Sequence, residues 1–145
     1  MGDFAKDINS KFPNERVKAM LNIIYTSNWI SSQQTEHFKP FGISPQQYNI
    51  LRILRGAGEP LKVQTIKERM IERAPNATRM MDKLCAKDLI RRYNCEHDRR
   101  VVYVEIKSEG LELLEQIRTS ENTSLWDRLS EDEAQTLNSL LDKMR

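Results

Sequence analysis

The chain has 145 residues, the usual size of one domain and enough to bury a core without disulfide or metal staples. Charged residues make up 30% and hydrophobic ones 39%, a balance that argues against a disordered or membrane-embedded chain and suits a soluble helical one. The net charge of +2 says little, but its distribution says more: Arg52 to Arg100 holds 13 Lys and Arg against 7 Asp and Glu, whereas the remainder holds 10 against 14.

Residues 1 to 13 read as a weakly ordered lead-in ending at Pro13. Asn14 is placed to cap a long first helix in which Val17, Met20, Leu21, Ile24 and Tyr25 recur at helical spacing, with Trp29 and Ile30 extending the stripe to Thr35 or His37. Its apolar surface exceeds what one compact lobe needs, so part of it is expected to face another subunit. Pro40 and Gly42 break this helix. A second helix then opens on Ser44 as cap, Pro45 as first residue and Gln47 completing a capping box, buries Tyr48, Leu51 and Leu54, and stops at Gly56-Ala57-Gly58. A short connection and a third helix fill Leu61 to Met70, with Val63, Ile66 and Met70 inward. Ile71 to Ala74 makes a turn that contains no glycine.

The most informative stretch is Ala74 to Ile106. A helix opening on Pro75 would set Ala77, Met81, Leu84 and Cys85 on one side and Asn76, Arg79, Lys83 and Lys87 on the other. It is expected to stop near Asp88. Val102, Val104 and Ile106 alternate with Tyr103 and Glu105 as in a half-buried strand. Ile90 to Tyr93 is its partner, and the polar loop Asn94 to Arg100 joins them. A helix–turn–helix followed by a basic hairpin is the outline of a winged helix-turn-helix. In that docking mode the tip of the second helix enters the major groove of double-stranded DNA, which makes Asn76, Thr78 and Arg79 the first candidates for contact. Lys83, Arg91 and Arg92 are candidates for phosphates, and the hairpin arginines can reach a minor groove.

Ser108 is expected to cap the next helix, which contains Leu111, Leu114 and Ile117 and is read as continuing through Ser120–Ser124 to Trp126 and Leu129. Ser130-Glu131-Asp132-Glu133 is a second capping box, and Leu137, Leu140, Leu141 and Met144 form the stripe of the last helix.

TRMMDKL, the Asp98-Arg99-Arg100 triplet with alternating strand residues behind it, and Lys107-Ser108-Glu109-Gly110 stand in an order and spacing that resembles the MarR-type transcriptional regulators over nearly the whole chain. The resemblance implies a mainly α fold with a small β-hairpin wing, in which residues 14–37 and 108–145 supply dimerisation helices and residues 44–106 the DNA-binding lobe of a single domain, 1–145. It further implies a homodimeric regulator on a near-palindromic operator, most often a ligand-responsive repressor. At the wing it implies Asp98 pairing with arginine, Arg100 entering the minor groove, and Arg99 in either role. Asp88 stands where the family usually has glycine; aspartate tolerates the left-handed conformation better than most residues. Small-molecule effectors of the family bind between dimer arms and DNA lobe, where Tyr25, Trp29, Phe38, Phe41 and Tyr48 are the available aromatics.

No glycine-rich phosphate loop, nucleophile elbow or His-Glu-x-x-His is present, so no enzyme, cofactor or metal is expected. Two other readings stay open: a winged-helix module for protein association without DNA binding, and a thiol redox sensor using Cys95, expected to lie exposed on the wing beside cations. No run of about 18 apolar residues and no apolar leader at MGDFAKDINS occur, so the expected location is cytoplasmic, without membrane contact.

Overall fold

The computed structural model describes residues 2–120 and 127–145. They fall into two compact units, Met1–Leu114 and Glu115–Arg145. The helix continuation expected through residues 121–126 lies outside the described residues.

In the first unit the lead-in is more ordered than its composition suggested. Phe4–Asp7 forms a short helix, α1, capped by the Asp3 side chain, and Phe4 is buried with its ring 5.2 Å from both Phe12 and Tyr25. Helix α2, Glu15–Phe38, starts where Asn14 accepts the Val17 N–H and is followed by a 3-10 turn, Lys39–Phe41. Gly42 takes the left-handed conformation there, at φ 70°. Met20, Leu21, Ile24, Tyr25 and Trp29 on α2 remain substantially exposed, between 36% and 54%, so the surplus apolar surface read from the sequence is real in the single chain.

Helix α3, Pro45–Ala57, carries the expected capping box and ends at Gly58 in the left-handed conformation. Ile50, Leu51 and Leu54 are buried along it, while Tyr48 is only half-buried. A two-residue strand, β1 (Leu61–Lys62), leads into α4, Val63–Arg69; Ile66 and Met70 point inward as expected, and Val63 does so in part. The second helix of the helix–turn–helix, α5, runs Ala77–Ala86. The hairpin follows as β2, Ile90–Asn94, and β3, Val102–Ile106. The antiparallel sheet has the order β1-β3-β2, pairing Leu61 with Val104 and Arg92 with the same Val104 from the other side. Strand β1 was not expected; it makes the wing a three-stranded sheet anchored behind α4.

The lobe closes because three periodicities converge. Ile50, Leu51 and Leu54 of α3, Ile66 of α4, Met81 and Leu84 of α5, Ile90 of β2 and Val104 of β3 are all essentially inaccessible. Each such side chain contributes about 1.5–3 kcal/mol relative to leaving it in water. Helix α3 is the hub, packing on α4, α5 and β3, while α5 rests on β2.

Helix α6, Ser108–Ser120, begins one residue earlier than its expected cap allows. Ser108 is its first residue, and the Lys107 carbonyl accepts the Leu111 N–H. In the second unit α7, Glu131–Lys143, has the predicted capping box, and Leu137, Leu140 and Met144 are 44–59% exposed. Among the described residues no helix is long and apolar enough to cross a membrane.

Candidate nucleic-acid interface

Helix α5 begins two residues later than Pro75 predicts. Pro75 and Asn76 form a turn in which the Ala77 N–H donates to the Ala74 carbonyl at 3.1 Å. Proline's fixed φ suits both the first turn of a helix and the second position of a β-turn, so the residue alone does not choose between them. Asn76 precedes the helix at φ −98°, ψ 22° and makes no side-chain cap bond. With the Ala77 N–H bound to Ala74 and the Met80 N–H to the Asn76 carbonyl, the Thr78 and Arg79 N–H groups are the ones that, among the described residues, keep capacity for an outside acceptor.

The two faces of α5 are as the helical spacing requires. Ala77, Met81 and Leu84 are buried, and Asn76, Thr78, Arg79, Lys83 and Lys87 are exposed, with Cys85 and Met80 half-buried at the margins. Met80, the one large apolar residue near the polar face, is thus partly withdrawn, so the tip offers amide, hydroxyl and cationic groups. The centre of a protein-association surface is enriched in aromatic side chains and depleted of charge, and this tip carries no aromatic residue and two cations. Between α5 and the start of α3 lies a cleft of about 340 Å³ lined by Ser44, Gln46, Gln47, Asn76, Arg79, Met80 and Lys83. Ser44 and Gln46 were not singled out from the sequence, because only the packing of α3 against α5 brings them to this face.

Helix α5 ends as the Asp88 reading requires. Asp88 has φ 58°, its N–H donates to the Cys85 carbonyl, and the Leu89 N–H donates to the Leu84 carbonyl. The Lys87 ammonium donates to the Gly42 carbonyl, joining the end of α5 to the turn before α3.

The hairpin tip is held by its own backbone. Cys95 N–H donates to the Val101 carbonyl, Val101 N–H to the Asp98 carbonyl, and the Asn94 side-chain amide to the Arg99 carbonyl at 2.7 Å. The Asp98 carboxylate accepts the backbone N–H of Arg100 at 3.0 Å, and among the described residues no guanidinium forms an ion pair with it. A local two-residue bond of this kind competes well with a solvated ion pair. The Arg99 and Arg100 side chains are exposed and have no ion-pair partner among the described residues.

Arg91 and Arg92 stand differently. Arg91 pairs with Glu105 across the hairpin and lies over the Tyr93 ring, 5.4 Å from its centre; Arg92 pairs with Asp82 of α5. Both cations carry their own counter-charge, which their sequence neighbours do not reveal. Cys95 is half-buried rather than exposed, and both cysteines are free.

The five candidate effector aromatics make these ring contacts among the described residues. Phe38 stacks on Tyr48 at 4.3 Å, and His37 stands 5.2 Å from Phe38 and 6.2 Å from Phe41. Tyr25 instead joins Phe4. Trp29 lies on α2 at 36% exposure.

A profile described as the MarR family matches residues 43–102, the span from the start of α3 through the wing. A MarR transcription factor from Planctomyces limnophilus is 30% identical and superposes with a TM-score of 0.70, covering 92% of this chain and 98% of that one. A mutant MarR from E. coli, solved in complex with operator DNA, is 25% identical with a TM-score of 0.72 and 99% coverage of both chains. The HTH-type transcriptional regulator MhqR of Bacillus subtilis (strain 168) is 26% identical over 118 residues, 79% of this chain and 81% of that protein. Taken with the helix–turn–helix and its three-stranded wing, these likenesses show that the chain belongs to the MarR family, a family of transcription regulators and not of enzymes.

Proposed function

We propose that the chain is a DNA-binding transcriptional regulator that acts as a homodimer on a near-palindromic operator, as a ligand-responsive repressor. One observation carries the DNA reading. Asn76, Thr78, Arg79 and Lys83 form one exposed polar face on α5, and the same lobe presents Arg99 and Arg100 at the wing tip without counter-ions among the described residues. In this assignment Asn76, Thr78 and Arg79 meet base edges, Lys83 meets phosphate, Arg100 enters the minor groove and Arg99 supports it. Asp98 sets the tip through the Arg100 backbone. Arg91 and Arg92 reach phosphate only by sharing their carboxylate partners. The E. coli MarR solved on operator DNA supports the reading by its likeness over the whole chain.

Dimerisation is supported by the apolar side chains that α2 and α7 leave in water, Met20 and Ile24 on one and Leu140 and Met144 on the other. Two copies would place their recognition helices on half-sites roughly 10 bp apart. For the switch, the aromatic group Phe38, Tyr48, His37 and Phe41 joins the end of α2 to α3, and His37 Nε2 is buried there without a hydrogen-bond partner among the described residues. A small aromatic effector bound against it would act on the lobe through α3.

The test is selection of bound sequences from a random duplex pool at near-physiological salt, with Arg100→Ala as control. The expected result is a near-palindrome that the control loses. Weak binding that is equal for all sequences would overturn the reading.

A further inference from the structure

Gln47 has a second role that its place in the capping box does not require. It is the buried polar side chain of the described core, at 6% exposure. Burying a primary amide is costly unless both of its ends find partners. Its Oε1 accepts the Ser44 N–H at 2.9 Å, which is all that a capping box asks of this position. A carboxylate would serve as well, and at the start of α7 Glu133 does so. What only an amide supplies is the other end: Nε2 donates to the Met80 carbonyl of α5 at 3.4 Å.

We infer that Gln47 is a positioning residue for operator recognition, fixing the rotation and depth of α5, and so the reach of Arg79 and Lys83, through its bond to the Met80 carbonyl. The inference rests on the DNA-reading function proposed above. The apolar contacts of Ala77, Met81 and Leu84 hold α5 to the lobe and set its buried face, and the Gln47 side chain adds a directional contact to that packing. The amide bond is directional, and it meets α5 at the residue that follows Arg79. Gln47 and Met80 also line the cleft together with Asn76, Arg79 and Lys83, so the bond sits beside the groups it aligns. Two neighbours on α3 hold the preceding turn. Gln46 Nε2 donates to Glu72 at 2.9 Å, and Asn49 Oδ1 accepts the Ile71 N–H at 3.0 Å. The polar residues of α3 thus hold the turn and the recognition helix separately.

Two substitutions separate the two ends of the amide. Gln47→Glu keeps the acceptor for Ser44 and removes the donor for Met80, whereas Gln47→Met removes both. Each full-length variant is titrated with the duplex enriched from the random pool and with a scrambled duplex of equal length, alongside thermal midpoints. Both variants are expected to lose roughly tenfold in discrimination between the two duplexes, the scale of one well-aligned base contact. Both should also melt lower, Gln47→Glu because a buried carboxylate oxygen then faces the Met80 carbonyl and Gln47→Met because the Ser44 N–H loses its acceptor. A merely structural role lowers the folded fraction, scales both affinities together and leaves discrimination intact; that result in both variants overturns the inference. If the wild type enriches no sequence, the DNA reading itself fails and the inference falls with it.

Discussion

Lys107 Nζ donates to the Asp88 carboxylate at 3.0 Å, tying the residue that turns the chain out of the recognition helix to the residue just before α6. Asp88 occupies the left-handed region, φ 58°, where a Cβ costs about 1–2 kcal/mol. The ion pair and the backbone conformation therefore act on one residue in opposite senses.

Asp88→Ala should lower stability modestly, because it keeps the left-handed strain and loses the ion pair to Lys107. Asp88→Gly should recover most of that loss, because glycine adopts this φ freely. Urea midpoints at neutral pH give the comparison. The pH arm has a definite sign. The Asp88 hydrogen bond raises the Lys107 pKa above its ordinary 10.5, so the contribution is fully present below 10.5 and is lost as pH rises through the folded-state value. Wild type should lose stability relative to Asp88→Gly in that alkaline window.

Gly110 should tolerate no side chain. A Cβ there would lie 2.4 Å from the Leu89 carbonyl oxygen and 2.7 Å from Ile106 Cγ1, and that same carbonyl accepts the Lys107 N–H at 3.0 Å. The backbone cannot yield without breaking the bond that seats the start of α6. Gly110→Ala is expected to cost about 1–3 kcal/mol, read as a lower denaturation midpoint with unchanged slope. An unchanged midpoint would mean that α6 moves freely against the sheet.

Glu133 sets the acid limit of α7. Hydrogen bonds from the Ser130 backbone and side chain hold its carboxyl below the ordinary glutamate value of 4.5. The cap is therefore fully effective above pH 4.5 and is lost as pH falls through the lowered value. Glu133→Gln keeps an acceptor that does not titrate. Helicity followed by circular dichroism should fall with acid more steeply in the wild type than in this variant. Parallel curves would remove Glu133 from the acid response.

The features that could be read from the chain were the local ones. Both capping boxes, the left-handed Asp88 and the two faces of α5 depend on residues within four positions of one another, and each was found where the spacing put it. What escaped was set by distant partners. Leu61–Lys62 is too short to read as a strand until Val104 and Tyr103 lie beside it. Phe4 gives no periodicity in a four-residue helix, and its burial comes from Phe12 and Tyr25. In the candidate site the exposed residues of α5 and the wing were legible by the same local rules. The carboxylates that occupy Arg91 and Arg92 were not, since Glu105 and Asp82 meet them only through strand register and the seating of α5 on β2.

Arg92 offers a way to separate a phosphate contact from an internal brace. Its guanidinium pairs with Asp82 while remaining 29% exposed, and Asp82 is 53% exposed on the recognition helix. Asp82→Asn removes one negative charge from the proposed DNA-facing helix and releases the guanidinium. If Arg92 then reaches phosphate, affinity should rise for every duplex, matched or scrambled. The slope of log K against log salt should also steepen by about one unit, since each neutralised phosphate contributes about 0.9. Removing the carboxylate alone also raises affinity, but releases no further counter-ion. Arg92→Ala in the Asp82→Asn background distinguishes the two: the slope returns to its original value only if Arg92 made the contact. A slope that never changes, accompanied by a lower melting temperature in Asp82→Asn, would assign the pair to holding α5 against β2 and remove Arg92 from the DNA surface.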